Sequence, residues 1–160
     1  MKTRVGLGSD IHKLEKGKSF SLGGIIIPHD KGAVGHSDAD VLIHAICDAL
    51  LGAANLRDIG FHFPDTSGEL KNIDSKILLK KVVNLLKDKG YKIVNIDSII
   101  NLQKPKISTY IPEMQKVLSL TIGIKENDIS IKAKTSENLG FIGREEGVSA
   151  QAVALIASNV

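Results

Sequence analysis

The stretch from Asp38 to Leu56, "DADVLIHAICDALLGAANL", constrains the fold more than any other part of the chain. Laid out at 100° per residue, it puts Val41, Leu42, Ile43, Ala45, Ile46, Ala49 and Leu50 in almost every direction. A helix apolar nearly all round has to be covered by other layers. Only one stripe is polar, formed by Asp40, His44 and Asp48. Ser37 is the expected N-cap, with Asp40 three residues on. The chain has 160 residues, enough for one domain (1–160) with a single core around this helix. With two Tyr, four Phe and no Trp, that core must come from Ile, Leu, Val and Ala.

The covering layers are legible on either side. "TRVGLGSDIHKL" reads as a first strand containing Gly6 and Gly8, and "SFSLGGIIIP" as a second, stopped by Pro28. "HDKGAVGHSDAD" and the longer "RDIGFHFPDTSGELKNI" are expected as loops; loops of the second length are usually functional or disordered. "DSKILLKKVVNLLKDKG" predicts an amphipathic helix ending at Gly90, and "YIPEMQKVLSLTIG" another with Pro112 in its first turn. "YKIVNIDSIINL" and "DISIKAKT" alternate as strands, and the tail "GVSAQAVALIAS" leans the same way. The expected class is α/β (α+β): one domain, a mixed β-sheet with helices packed on one face.

The net charge of +3, with no long Lys/Arg run, gives no nucleic-acid footprint. No apolar run has membrane-spanning length and no signal-peptide pattern opens the chain, so neither nucleic acid nor membrane is an expected partner. The expected location is the cytoplasm. A single cysteine, Cys47, excludes an internal disulfide framework and a Cys-rich zinc site, and reads as a small core residue. His29 and His62 read as surface residues.

Chemistry enters at "GSDIHKL". On a strand Asp10 and His12 project to the same side, and Ile11 is expected to point the other way, into the core. With His44 they supply one carboxylate and two imidazoles. Three such ligands leave a fourth tetrahedral position open, as in catalytic zinc sites. The same set suits the facial triad of non-haem Fe(II) enzymes, and spacing alone does not separate the two.

Four segments carry a resemblance to a known family: "SDIHKL", "GHSDADVLIHAICDALLGAANLRDIGFHFPDT", "KPKI" and "KAKTSENLGFIGREEGVSAQAVALI". In this order and over nearly the whole chain, they resemble the 2-C-methyl-D-erythritol 2,4-cyclodiphosphate synthase family of the non-mevalonate isoprenoid pathway. The resemblance implies zinc on Asp10, His12 and His44, and a second divalent cation, magnesium or manganese, on Glu137. It implies an intramolecular displacement in 4-diphosphocytidyl-2-C-methyl-D-erythritol 2-phosphate. There the 2-phosphate attacks the β-phosphorus and CMP leaves, which makes the enzyme a phosphorus–oxygen lyase. His36 and Thr135 carry over as transition-state stabilisers, and Ser37 as a holder of substrate phosphate.

The same resemblance assigns Asp58, Ile59 and Gly60, then Phe63, Pro64, Asp65, Thr66 and Ser67, to the methylerythritol end. Ser67 stands where the family is often acidic. The cytidine and diphosphate cradle corresponds to Leu102, Gln103, Lys104, Pro105, Lys106, Ile107 and Ser108, with Lys134 and Ser136. Lys134 adds a positive charge to that edge. Phe141 and Arg144 complete the matched set. Also implied is a homotrimer with active sites at subunit interfaces, one face of "DISIKAKT" turned toward the threefold axis. Arg144 and Glu146 would line a central channel able to hold an isoprenoid diphosphate. Three other functions compete. One is a metal-dependent phosphate-ester hydrolase using Asp40 or Asp48 as base. Another is a non-catalytic trimer that binds isoprenoid diphosphates, and the last is the Fe(II) oxygenase.

Overall fold

In the computed structural model, which describes residues 1–158, the elements run β1 (Lys2–Lys16), β2 (Ser21–Leu22), β3 (Ile25–Ile26), β4 (Lys31–Val34), α1 (Val41–Ala53), α2 (Ile59–His62), α3 (Ser75–Asp88), β5 (Tyr91–Asn101), α4 (Ile111–Ile122), β6 (Ile129–Lys134), α5 (Gly140–Gly143) and β7 (Gly147–Ser158). The last two residues of the expected 1–160 domain lie outside the described ones. Five strands form one sheet in the order β4-β1-β7-β5-β6. β5 and β6 are parallel and every other pair is antiparallel, so the sheet is mixed as expected. The tail is a strand and holds the centre, pairing with β1 from Lys2↔Ser158 to Lys13↔Gly147. Among the described residues no helix is long and apolar enough to cross a membrane.

α1 lies directly on β1 and β7, and α3 covers it. Its close approach is dictated by what the strands present. The paired rows beneath it are Gly6↔Ala154 and Gly8↔Ala152, followed by Asp10↔Ala150. A Cβ on Gly6 would lie 1.9 Å from the Ala49 carbonyl oxygen, and one on Gly8 1.9 Å from that of Ala45. The small residues form a flat pad, so the helix backbone rests on the strand backbone and its apolar residues are wholly buried.

Several expectations change. Ile11 is not in the core: it is 54% exposed on the face of the sheet that carries no helix, with Val5, Leu7 and Val153. The helix-bearing face of β1 is the one with Gly6, Gly8, Asp10 and His12, so the candidate metal-ligating side chains share the covered side. The N-cap of α1 is Asp40, not Ser37, and Asp40 does not face water. Its carboxylate accepts N–H bonds from Ile43 (3.0 Å), Gly23 (3.0 Å) and Gly24 (2.7 Å). Gly23 and Gly24 form the two-residue β2–β3 turn, both with positive φ as such a turn demands. Burial pushes the Asp40 carboxyl up, against these three donors.

The "HDKGAVGHSDAD" segment contains β4, paired antiparallel with β1, where a loop is expected. The "SFSLGGIIIP" strand is a short hairpin instead of one extended element. The long segment after α1 contains α2 and a 3-10 turn at Gly68–Leu70. His29 is half-buried beside Phe20, 3.3 Å from Asp30, and His62 donates to the Leu56 carbonyl at 2.7 Å. Cys47 is buried.

Candidate metal centre

β1 supplies Asp10 and His12, and the first turn of α1 supplies His44. His12 Nε2 lies 3.1 Å from His44 Nδ1. The Asp10 Oδ2 oxygen is 2.9 Å from the first and 3.0 Å from the second. For bonds of about 2.1 Å, the edge of a tetrahedral site is about 3.4 Å. The three donor atoms therefore already form one nearly closed face, and a small outward relaxation would seat an ion. It is the one such cluster among the described residues.

The tautomers suit the purpose. His12 Nδ1 is 3.1 Å from the Val34 carbonyl, which can only accept, so this nitrogen carries a proton and Nε2 is the one turned to Asp10 and His44. His44 Nε2 faces the hydroxyls of Ser75 (2.9 Å) and Ser37 (3.1 Å), leaving Nδ1 toward Asp10 and His12. Burial opposes the charge on Asp10, but the two imidazoles beside it hold its carboxyl well below the usual carboxylate range. Burial also works against a charged His44, and the Asp10 carboxylate outweighs it, so the imidazole is held above its ordinary value. A carboxylate held as an anion beside two imidazole nitrogens could hold a divalent cation.

The triad floors a cavity of about 260 Å³. Of the expected residues, His36, Ser37, Ile59, Phe63 and Asp65 line it, together with Leu70, Ile73 and Leu78. Asp58, Gly60, Pro64 and Thr66 belong to the same segment without lining the cavity. Asp48, the last member of the polar stripe, fixes this segment by accepting the Ile59 N–H at 2.7 Å. His36 clamps it from the other side, its Nε2 donating to the Ser67 carbonyl at 3.0 Å and its own carbonyl accepting from Asn72 at 2.8 Å. Ser67 thus contributes main chain here.

A second cavity of about 180 Å³ lies at the other edge of the sheet. Leu102, Gln103, Pro105, Lys106, Ile107 and Ser108 line it with Lys134 and Thr135. Lys104 is exposed beside it, joined to Pro105 by a cis peptide bond. Beyond β6 the chain turns through Glu137 and Asn138, both at positive φ (54° and 62°). Gln103 Oε1 accepts the Asn138 N–H at 3.1 Å, and the Ser136 hydroxyl donates to Leu139 at 2.7 Å. Glu137 is exposed.

Within one chain these two sets are apart. Asp10, Ala150, Ile100 and Ala133 fall in one lateral row of the sheet. Three strand spacings, about 14 Å, therefore separate the metal ligands from the end of β6. His36 and Thr135 open onto different cavities, and Glu137 is not with the triad. Phe141 joins neither set: its ring packs under Gly147 at a third cavity of about 380 Å³, on the open face of the sheet with Ile11 and Glu146. Arg144 pairs with Glu146 at 2.9 Å in solvent. Two residues touching the site were not legible as such, Asp38 and Ser75. Both read as ordinary helix-start residues, and only the packing of α3 on α1 reveals that Ser75 bonds His44 and Asp38 bonds Ser75.

The YgbB family model matches residues 3–157. A 2-C-methyl-D-erythritol 2,4-cyclodiphosphate synthase of Bacteroides fragilis is 63% identical over 156 residues, 98% of either chain. One from Porphyromonas gingivalis is 55% identical over 157 residues, 98% of this chain and 97% of its own. Among solved structures, the bifunctional IspDF of Campylobacter jejuni superposes with a TM-score of 0.94 at 37% identity, over 98% of this chain and 42% of that one. A CDP-bound 2C-methyl-D-erythritol-2,4-cyclodiphosphate synthase gives 0.89 at 35%, over 96% and 100%.

Proposed function

Because the chain belongs to the YgbB family, we propose that it cyclises 4-diphosphocytidyl-2-C-methyl-D-erythritol 2-phosphate to 2-C-methyl-D-erythritol 2,4-cyclodiphosphate with release of CMP. This makes it a phosphorus–oxygen lyase of isoprenoid biosynthesis, working in the cytoplasm. The observation that carries the reading is the face of three donors, Asp10, His12 and His44, 2.9–3.1 Å apart at the floor of a cavity that also presents His36 and Ser37.

Both reacting groups are anionic phosphates, so the protein must hold them together and offset their repulsion. Orienting two tethered groups contributes on the order of 7–11 kcal/mol. A divalent ion on Asp10, His12 and His44, zinc by its donor set, would supply Lewis-acid polarisation of the β-phosphate. The Ser37 hydroxyl donates to a phosphate oxygen in the same cavity, and the His36 imidazole does so once its Nε2–H turns from the Ser67 carbonyl to the substrate. Ile59 and Phe63 seat the carbon chain and exclude water from the attacked phosphorus. In the cradle, Lys104, Lys106 and Lys134 offset the diphosphate charge while the 102–108 backbone holds the cytidine. The Thr135 hydroxyl donates to the β-phosphate as negative charge builds on it. Asp40, spent on three N–H donors, and Asp48, committed to Ile59, are poorly available as the base a hydrolase needs.

In this reading the protein is a homotrimer, as the resemblance implies, in which the cradle of one chain completes the metal-side cavity of its neighbour. Two observations support it: the 14 Å gap within one chain, and the helix-free sheet face exposing Val5, Leu7, Ile11 and Val153. A face of that kind in a monomer would leave contiguous apolar surface in water. Turned to a threefold axis, it would also place the Ile11–Phe141 cavity, Arg144 and Glu146 around a central channel suited to an isoprenoid diphosphate. We expect a trimer in sedimentation at micromolar concentration, and a fully active monomer would refute this assembly.

Glu137, a lone exposed carboxylate, suits a hard cation that keeps its waters and takes substrate phosphate oxygens, magnesium or manganese. Glu137→Gln should keep about one zinc per chain, lose most activity and need far more magnesium for the remainder. Zinc content and a magnesium titration of CMP release test this. Loss of zinc in step with activity, or an unchanged magnesium response, would overturn it. The reaction itself is tested by phosphorus NMR of the purified protein with substrate. Cyclic diphosphate and CMP are expected; a ring-opened product would mark a hydrolase, and binding without turnover a binding module.

A further inference from the structure

His44 reaches the metal position through Nδ1, so it works as a ligand only if its proton sits on Nε2. Two hydroxyls face that nitrogen, and either could in principle donate to it and force the proton onto Nδ1. What decides between them lies one residue further out. The Ser75 hydroxyl makes a short hydrogen bond to the Asp38 carboxylate. A carboxylate has no proton to give, so Ser75 must donate to Asp38. Ser75 has a single hydroxyl proton, and with that proton spent its oxygen can only accept from His44 Nε2 at 2.9 Å.

Asp38 is itself fixed. It accepts the Ser75 N–H at 3.0 Å and the Asp40 N–H at 3.2 Å, so it is gripped by the start of α3 and the start of α1 together. Ser75 is completely buried, and no water competes for its proton. Ser37 is a weaker candidate for this task. It is half-buried, its oxygen already accepts the Ala39 N–H at 3.2 Å, and its proton has no charged acceptor. It is free to turn to substrate phosphate.

We propose that Ser75 and Asp38 are positioning residues of the metal centre: Asp38 holds the Ser75 proton, and Ser75 holds the His44 proton on Nε2, so that Nδ1 keeps its lone pair aimed between Asp10 and His12. The relay rests on the reading that the triad binds a metal. It also explains why a buried serine opens α3 where Asp74 already provides the cap, accepting the Lys76 N–H at 2.8 Å.

The experiment compares wild type, Ser75→Ala, Asp38→Asn and Ser37→Ala. Chelator competition reads zinc affinity, and solvent exchange of the His44 Nε2 proton in the zinc-loaded protein, followed by nitrogen–proton NMR, reads its hydrogen bond to Ser75. Wild type should protect that proton. Ser75→Ala should open it to exchange and weaken zinc by about 10–100-fold, the usual effect of losing such a partner. Asp38→Asn, which keeps an acceptor oxygen but not its charge, should shift both readouts part of the way. Ser37→Ala should change neither. An unaltered exchange rate and affinity in Ser75→Ala, or a loss confined to Ser37→Ala, overturns the relay. A wild type that bound no zinc would sink the metal reading and the relay with it, whereas zinc held equally by wild type and Ser75→Ala would sink the relay alone.

Discussion

Replacing Gly8 by alanine should destabilise the protein by about 3 kcal/mol or more, at or beyond the upper end of ordinary overpacking. The added Cβ would sit 1.9 Å from the Ala45 carbonyl oxygen and 2.6 Å from the Ala49 nitrogen. Both are backbone atoms of α1, so no rotamer change relieves the clash. To reach ordinary contact near 3.4 Å the helix must lift by roughly 1.5 Å. Lifting it parts α1 from the Ala150, Ala152 and Ala154 pad and opens space no neighbouring side chain is placed to fill. Because His44 directly precedes Ala45, the same displacement carries Nδ1 away from Asp10. Urea titration should show a lowered midpoint, and the folded fraction should bind zinc poorly. Gly68→Ala is the control, with nothing within 4 Å and an ordinary φ; it should stay within about 0.5 kcal/mol of wild type. A Gly8→Ala protein with wild-type midpoint and zinc content would show that α1 does not rest on β1 as described.

Gly6 and Gly8 also mark where the sequence is readable and where it is not. Periodicity placed the long helices and the strands before the tail, because a 3.6 or 2.0 repeat is a local property; the tail, which is β7, only leaned to strand. It did not settle which side of β1 is covered. Alternation offers two faces, Gly6/Gly8/Asp10/His12 and Val5/Leu7/Ile11, and hydrophobicity favours the second as the core. The helix chose the first because it can approach only where side chains are absent. The apolar face, with Val5, Leu7 and Ile11, is left exposed. Asp40 misled for a related reason: a helix-start acid looks like part of a polar stripe until the Gly23–Gly24 turn closes over it. The Asp10/His12/His44 set was legible because two ligands share a strand and the third lies on the helix's one polar stripe. Ser75 was not, since its partner is 31 residues away and only the α1–α3 packing joins them.

Removing a ligand should separate chemistry from folding. His44→Ala leaves Asp10 and His12 as two donors, and two are too few to hold zinc in a tetrahedral site. Zinc per chain should fall to near nothing, and CMP release should fall below detection. The fold should persist, because the residues that bury α1 are its apolar ones, while His44 occupies its polar stripe. Asp10→Asn makes the same point through charge. The carboxamide keeps the shape and one oxygen, but it brings no negative charge to a dication and adds an N–H pair facing two imidazoles. It too should lose zinc and turnover, with His44 no longer held above its ordinary value by a neighbouring anion. Cytidine nucleotide binding supplies the control. The cradle at 102–108 and 134–135 is a separate cavity, so both variants should still bind CDP and still sediment as wild type does. Loss of CDP binding together with zinc would mean the substitutions damage the fold. Full turnover in zinc-free His44→Ala would mean that the three side chains do something other than hold the reacting metal.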